Sequence, residues 1–265
     1  EGQNLQYLKK GTSSAESFTL SFWVKSAKTG TYIAEFRDID NTRNISKSYT
    51  ISSANTWEKK TITYAGDTSG AFGNDNGASL ELNLWLAAGS GNTSGTLQTS
   101  WSSQVAVNRA VGQVNLGDST SNDWYVTGVQ LEAGTTASEF EFLPVDVNLQ
   151  RCHRYYYKVI AEAGGRMLTG LGYSYSSTVG IVNVPFSTIM RISPTALEQN
   201  GTATDYSILN AAAGAVTCSA VPVFGQGTTW GARTEFTVAS GLTSGQGTQG
   251  RASNTNAYLA WSAEL

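Results

Sequence analysis

The sequence predicts an all-β protein: an N-terminal antiparallel jelly-roll sandwich and a smaller C-terminal β-sandwich, joined by a short helical linker. Three observations point there. Residues Phe18 to Ser26 alternate strictly, with Leu20, Phe22 and Val24 on one side and Thr19, Ser21, Trp23 and Lys25 on the other, which is the period of a half-buried strand. Clusters of Gly, Asn, Asp and Ser, in a chain with 28 Gly, cut the sequence into short runs of that kind, as turn chemistry requires. At Pro144 the texture changes, because the fixed φ of proline turns Leu143 away from helix and a short amphipathic run follows from Asp146 to Cys152.

In the first half, the alternation of Phe18 to Ser26 recurs at Leu80, Leu82, Leu84 and Leu86 against Glu81, Asn83 and Trp85. Further strands are expected at 31–37, 48–51, 58–64, 113–116 and 124–131, separated by turns such as Gly66 to Gly70, Gly73 to Gly77 and Gly89 to Gly95. Many short strands at this spacing, almost without helix, fit a two-sheet sandwich or jelly roll. In the second half, strands are expected at 155–160, 168–175, 178–186, 195–197, 206–209, 216–218, 232–238 and 257–262. Pro185 and Pro194 beside apolar residues read as strand ends or sheet edges, and the alternation from Ala257 continues to Leu265. The domain boundaries that follow are 1–144, a linker helix at 145–154, and 155–265.

At 265 residues the chain is long enough for two cores. Charged residues make up 14% and the formal net charge is −3, the first half acidic and the second slightly positive. That balance lacks the basic footprint of a phosphate-backbone binder, so nucleic acid is not an expected partner. No apolar run approaches a membrane-spanning length, so membrane insertion is not expected either. Cys152 and Cys218 read as reduced, buried thiols in different halves, with an inter-domain bridge as the alternative. The chain opens in mid-pattern at Glu1 without Met or a charged-then-apolar leader, which reads as a fragment of a longer protein.

Several segments resemble a known pattern. "LSFWVKS" (20–26), "TWEKKTITYAGDTSG" (56–70), "LELNLWLAAGS" (80–90) and "WYVTGVQLEAG" (124–134) are similar to the carbohydrate-binding-module-like jelly roll of bacteriophage and prophage tail fibres. The junction that runs from Val129 to Gly134, through "FEFLP" (140–144), to "QRCHRYY" (150–156) resembles the region near the C-terminal ends of the same fibres. "VPFSTIMRISPT", "GTATDYSI", "FTVASGLTSGQ" and "NAYLAWSAEL" carry the likeness through the second half. The resemblance implies a receptor-binding fibre part in the virion, contacting a bacterial surface glycan or outer-membrane receptor. It also implies a homotrimer with a distal β-sandwich tip, a strand preceding Glu1, and a structural calcium in such jelly rolls. No heptad repeat argues independently for a trimer.

The residues suggest where a sugar would sit. On two strands the apolar face is complete without tryptophan, so Trp23 and Trp85 are expected on the polar side. A solvent-facing strip of Trp23, Lys25, Glu35, Arg37, Glu81, Asn83 and Trp85 would offer aromatic faces for the C–H surface of a pyranose, with amide, carboxylate and guanidinium groups for its hydroxyls. Trp101, in the loop after Gly95, and Trp230, near Gly227, are the loop candidates. The alternative is that these rings are covered by a loop, a neighbouring domain or another subunit, which makes the chain a structural virion or trimerisation module. Tyr155 to Tyr157 are read as an inter-subunit or an inter-domain contact.

No catalytic or metal-ligating residue is assigned, and an enzyme is not expected. The one histidine, His153, cannot build a multi-histidine site, and no Gly-x-Ser-x-Gly elbow occurs. Gly245 to Gly250 spells Gly-x-Gly-x-x-Gly without the strand and helix a dinucleotide site demands; it reads as a turn and a candidate host-contact loop. Asp38 to Asn41 and Asn74 to Asn76 offer oxygens but lack calcium-loop spacing, and read as Asx turns. The expected cofactor complement is therefore none, with the calcium of the resemblance left open. A polysaccharide depolymerase is the enzymatic rival, with Glu35 and Glu81, or Glu139 and Glu141, as the carboxylate pairs it would need. The repeated short strands of a β-helix that would carry such a site are not found in the sequence.

Overall fold

The computed structural model describes residues 1–162, 167–211 and 213–264. The chain divides into two compact units, Glu1–Phe142 and Leu143–Leu265. In the first unit the strands are β1 (Phe18–Ser26), β2 (Gly30–Asp38), β3 (Arg43–Ile51), β4 (Glu58–Tyr64), β5 (Leu80–Trp85), β6 (Ser102–Ser103) and β7 (Trp124–Ala133), with a one-turn helix α1 (Ser90–Thr93). They form two antiparallel sheets, β4-β1-β7 and β5-β2-β3-β6. The predicted 113–116 strand is absent; that stretch leads into a 3-10 turn at Leu116–Asp118.

The alternation that marks β1 fills the space between these sheets. Phe18, Leu20, Phe22 and Val24 meet Tyr32, Ala34 and Phe36 of β2, Ile45, Tyr49 and Ile51 of β3, and Ile62 and Tyr64 of β4 in one buried cluster. Its rings interlock: Phe36 stands edge-on to Phe18 at 5.0 Å and to Tyr64 at 4.9 Å, while Phe18 and Tyr64 stack at 5.3 Å. These are the arrangements that aromatic quadrupoles favour. The Tyr64 hydroxyl donates to the Ala34 carbonyl at 3.0 Å, so its polar tip is satisfied inside the core.

The second unit opens with α2 (Val145–His153), so the expected linker helix lies within it. Then come β8 (Tyr156–Ile160), β9 (Met167–Ser174), β10 (Val179–Pro185), β11 (Tyr206–Asn210), β12 (Gly214–Thr217), β13 (Val223–Thr228), β14 (Gly231–Thr237), β15 (Gly247–Ala252) and β16 (Tyr258–Ser262). A seven-stranded antiparallel sheet, β12-β11-β15-β9-β10-β14-β13, accompanies the two-stranded β16-β8. The buried cluster joins Val182, Val184, Tyr206, Ile208 and Phe236 of the large sheet to Leu259 and Trp261 of the small one. Leu265, to which the terminal alternation was read, lies outside the described residues.

Three expectations change here. Residues 195–197 form no strand; the neighbouring Glu198 makes an isolated bridge to Ala260. The glycine-rich stretch Gly245 to Gly250, expected to be a turn and a host-contact loop, runs into β15, which lies between β11 and β9. Its buried residues are Thr248, Gly250 and Ala252, too small and polar to announce an apolar face. Both cysteines belong to the second unit and are free, and Cys152 is exposed. Tyr157 packs in its own unit, 5.3 Å from Phe186 and 6.3 Å from Trp261, and His153 meets Tyr157 edge-on at 5.0 Å while its Nδ1 bonds Ser187 Oγ at 2.9 Å.

Candidate functional site

The outer face of the β5-β2-β3-β6 sheet carries a dense polar constellation. Cross-strand register places Glu35 beside Ser46 and Asn83, and Arg37 beside Asn44 and Glu81, with Trp85 one pair further along opposite Ile33. Directly opposite residues share a face, so Arg37, Glu81, Asn83 and Trp85 converge as the sequence anticipates. Leu84, Leu86, Ala87 and Arg109 complete an open cleft of about 610 Å³.

Glu35 departs from the expectation. Alternation puts it on a solvent-facing strip, yet it is 0% exposed. The excursion between β5 and β7 folds back over this part of the sheet: Ser46 N donates to the Gln98 carbonyl at 2.7 Å, and Ser46 Oγ to the Arg109 carbonyl at 2.9 Å. Arg109 then grips the carboxylate with two bonds, Nε to Oε1 and Nη2 to Oε2, each 2.8 Å. Asn44 Nδ2 and Trp85 Nε1 add one bond each at 2.9 Å. These bonds hold the Arg109 guanidinium above its ordinary pKa, against the burial that lowers it. A buried charge with this many partners is neutralised and held in place.

The neighbouring groups remain within reach of solvent. Asn83 Nδ2 donates to Glu81 Oε1 at 2.6 Å, and Arg37 Nη1 lies 3.8 Å from Glu81 Oε2. The Arg109 guanidinium sits 5.0 Å from the centre of the Trp85 ring, a cation–π distance. Trp85 is thereby fixed at two points, its N–H and one stretch of its ring. The cleft presents, side by side, a carboxylate acceptor, amide and guanidinium donors and part of an indole.

Trp23 does not join it. It is 41% exposed on the outer face of the other sheet, because β1 pairs with β4 and β7 and not with β2. The single strip expected from alternation is two faces of a sandwich. Two residues along the same face, Lys25 Nζ lies 5.5 Å and 4.6 Å from the ring centres of Trp57 and Tyr125, both exposed. Trp57 precedes β4 and Tyr125 lies opposite Lys25 in β7. Trp101 is not a loop contact either: half-buried, it donates from Nε1 to the Ala65 carbonyl at 2.8 Å and packs 6.4 Å from Phe18. The partners of both lie far off in sequence, which alternation cannot report.

Trp230 stands as expected, 66% exposed at the turn between β13 and β14. Its backbone is pinned, the Trp230 carbonyl accepting from Phe186 N at 2.9 Å and the Thr229 carbonyl from Met190 N at 2.9 Å. The indole borders an open groove of about 1040 Å³ with Asn183, Pro185, Pro194, Phe224, Gln226 and Arg233. Arg109, Trp57 and Tyr125 are the residues that sequence reasoning missed. Arg109 is a lone cation in a polar loop, and only its distance from Glu35 in the fold gives it meaning.

No helix among the described residues is long and apolar enough to cross a membrane. No protein-family model matches the chain, and no curated protein matches it.

Proposed function

We propose that this chain is the receptor-binding part of a phage tail fibre and that its first unit holds a glycan of the bacterial surface in the cleft of Arg37, Glu81, Asn83, Trp85 and Arg109. One observation carries the reading: four residues singled out for sugar contact, among them a pre-positioned indole, share one open cleft. Saccharides are bound by such mixtures, with hydroxyls taken by planar polar groups and C–H faces laid on aromatic surface. The viral part of the proposal rests on the sequence resemblance. The Trp230 groove of the second unit is a further contact of the same kind.

Binding without catalysis is part of the proposal. Glu35 is committed to Arg109, Asn44 and Trp85, and the Glu139 side chain is 100% exposed beside Lys59. These surroundings favour binding over glycoside hydrolysis, which needs two carboxylates facing each other across a scissile bond. Single stacking sites are weak, and a homotrimeric fibre would gain avidity because tethered sites rebind at high effective concentration.

A glycan array probed with the whole chain, followed by titration calorimetry on the best ligand, tests the reading. Glu81→Gln and Asn83→Ala weaken binding by about tenfold or more, the loss expected when a ligand hydroxyl loses a charged or amide partner. Trp23→Ala leaves it unchanged. Unaltered affinity in both cleft variants would remove the cleft from the proposal. A second reading has its own observation, the exposed ring set Trp23, Trp57 and Tyr125: if that face packs in an assembly, Trp57→Ser lowers the mass measured by light scattering and leaves glycan binding intact.

A further inference from the structure

The calcium implied by the resemblance can be tested against its candidate ligands. Asp75 Oδ1 accepts from Gly77 N at 2.8 Å, so the Asn74–Asn76 stretch is an Asx turn. Asp38 is different. Its carboxylate accepts from Asn41 N at 3.0 Å and, through Oδ2, from Asn41 Nδ2 at 3.0 Å, and it also faces a cation, Lys10 Nζ, at 2.5 Å. The same nitrogen lies 3.1 Å from Asp67 Oδ2 and donates to the carbonyls of Ser69 at 2.9 Å and Gly70 at 2.7 Å. Two carboxylates and two carbonyls make a hard oxygen set of the type calcium selects. The centre of that set belongs to the lysine, and a metal ion does not fit beside it.

We infer that the Lys10 ammonium is a tethered structural cation, filling the oxygen cage of the first unit so that its fold needs no bound metal. The side chains of Lys10, Asp38 and Asp67 are 4%, 0% and 4% exposed. The charges close locally, since Arg43 holds Asp67 through Nε at 2.7 Å and Nη2 at 3.0 Å, giving two cations for two carboxylates. The Phe72 and Trp101 rings lie 5.2 Å and 5.5 Å from Nζ, which completes the enclosure and explains why Trp101 is turned inward.

The backbone is shaped to deliver these groups. Lys9 lies in the left-handed region at φ 49°, and Gly11 follows at φ 83°, where a Cβ would stand 2.6 Å from Ala71 N. Gly70, whose carbonyl faces the ammonium, has φ 71°, and a Cβ there would stand 2.5 Å from Asn41 Oδ1. Such conformations cost a non-glycine residue free energy. Glycine at positions 11 and 70 avoids that cost, and both chain segments meet on the one cation.

Thermal unfolding of the whole chain in chelator and in calcium tests the inference, together with terbium luminescence excited through tryptophan. The wild-type melting temperature is the same in both conditions and the protein gives no sensitised terbium signal. Lys10→Ala vacates the cage: it melts lower in chelator, recovers with the logarithm of calcium concentration above the dissociation constant as a ligand-linked transition must, and binds terbium beside Trp101. Lys10→Met removes the charge but keeps the volume filled, so it melts lower and calcium does not rescue it. A wild-type protein that loses stability in chelator would overturn the inference, as would equal behaviour of the alanine and methionine variants in calcium.

Discussion

Arg109→Met isolates the ion pair that organises the cleft. The substitution removes both guanidinium bonds at 2.8 Å and leaves Glu35, 0% exposed, with Asn44 and Trp85 as its remaining donors. Methionine keeps most of the aliphatic volume, so the loss is mainly electrostatic. Removing one partner of a buried pair costs about 3–5 kcal/mol, because an uncompensated charge stays behind. For a unit of this size each kcal/mol lowers the midpoint by roughly 3–5 °C, which gives a drop of about 9–25 °C in calorimetry. Adding Glu35→Leu removes the orphaned charge, and the double variant recovers more than half of the loss, a coupling that the mutant cycle reads directly. A drop below about 1 kcal/mol would show that water reaches Glu35, and the preorganised cleft would fall with it.

Two further predictions concern titratable groups. Asp67 feels burial, which raises its pKa, but the bonds from Arg43, the Ser69 N–H and Lys10 outweigh it and hold the pKa below the ordinary 3.8. A depressed carboxyl contributes stability that is fully present above its unfolded value and is lost as pH falls through its folded one. The acid limb of the first unit's unfolding curve below about pH 4 is therefore shallower in Asp67→Asn, and superimposable limbs would refute this. Burial pushes the Cys218 thiol up to about 12, whereas Cys152 is exposed. An aromatic disulfide reagent at neutral pH titrates one thiol in the native chain and a second on unfolding; two rapid thiols would contradict the packing around Cys218.

What the sequence revealed, and what it concealed, follow the range of each interaction. Alternation is a property of neighbouring residues, so the inward set Leu20, Phe22 and Val24 and the outward ring of Trp23 could be read directly. Which sheet a strand joins depends on distant pairing. That is why Trp23 and Trp85, alike in pattern, lie on separate sheets. The same limit hid Glu35, whose burial is produced by a loop more than fifty residues further along, and Trp101, drawn in by Lys10 and Ala65. β13 and β15 escaped notice for another reason: glycine and small polar residues supply strand geometry without a hydrophobic signature.

The position of the buried pair bears on how the proposed site would recognise a ligand. Were the whole outer face open, Glu35 would be a hydrated carboxylate, and Trp85 could rotate at the cost of a solvent hydrogen bond. The excursion covers Ser46, Asn44 and Glu35 but stops short of Arg37, Glu81 and Asn83. The covered part supplies rigidity and the open part supplies contacts. Trp85 lies at the junction, its N–H held by the buried carboxylate and its ring by Arg109. Orientation set before binding reduces the entropy lost on association, so the ligand need not order the indole itself. Affinity in the cleft should then respond to Glu35 and Arg109 through the placement of Trp85. A titration in which Arg109→Lys, which keeps the charge but loses the two-pronged grip, weakens glycan binding while Trp230→Ala acts additively would locate that dependence in the first unit.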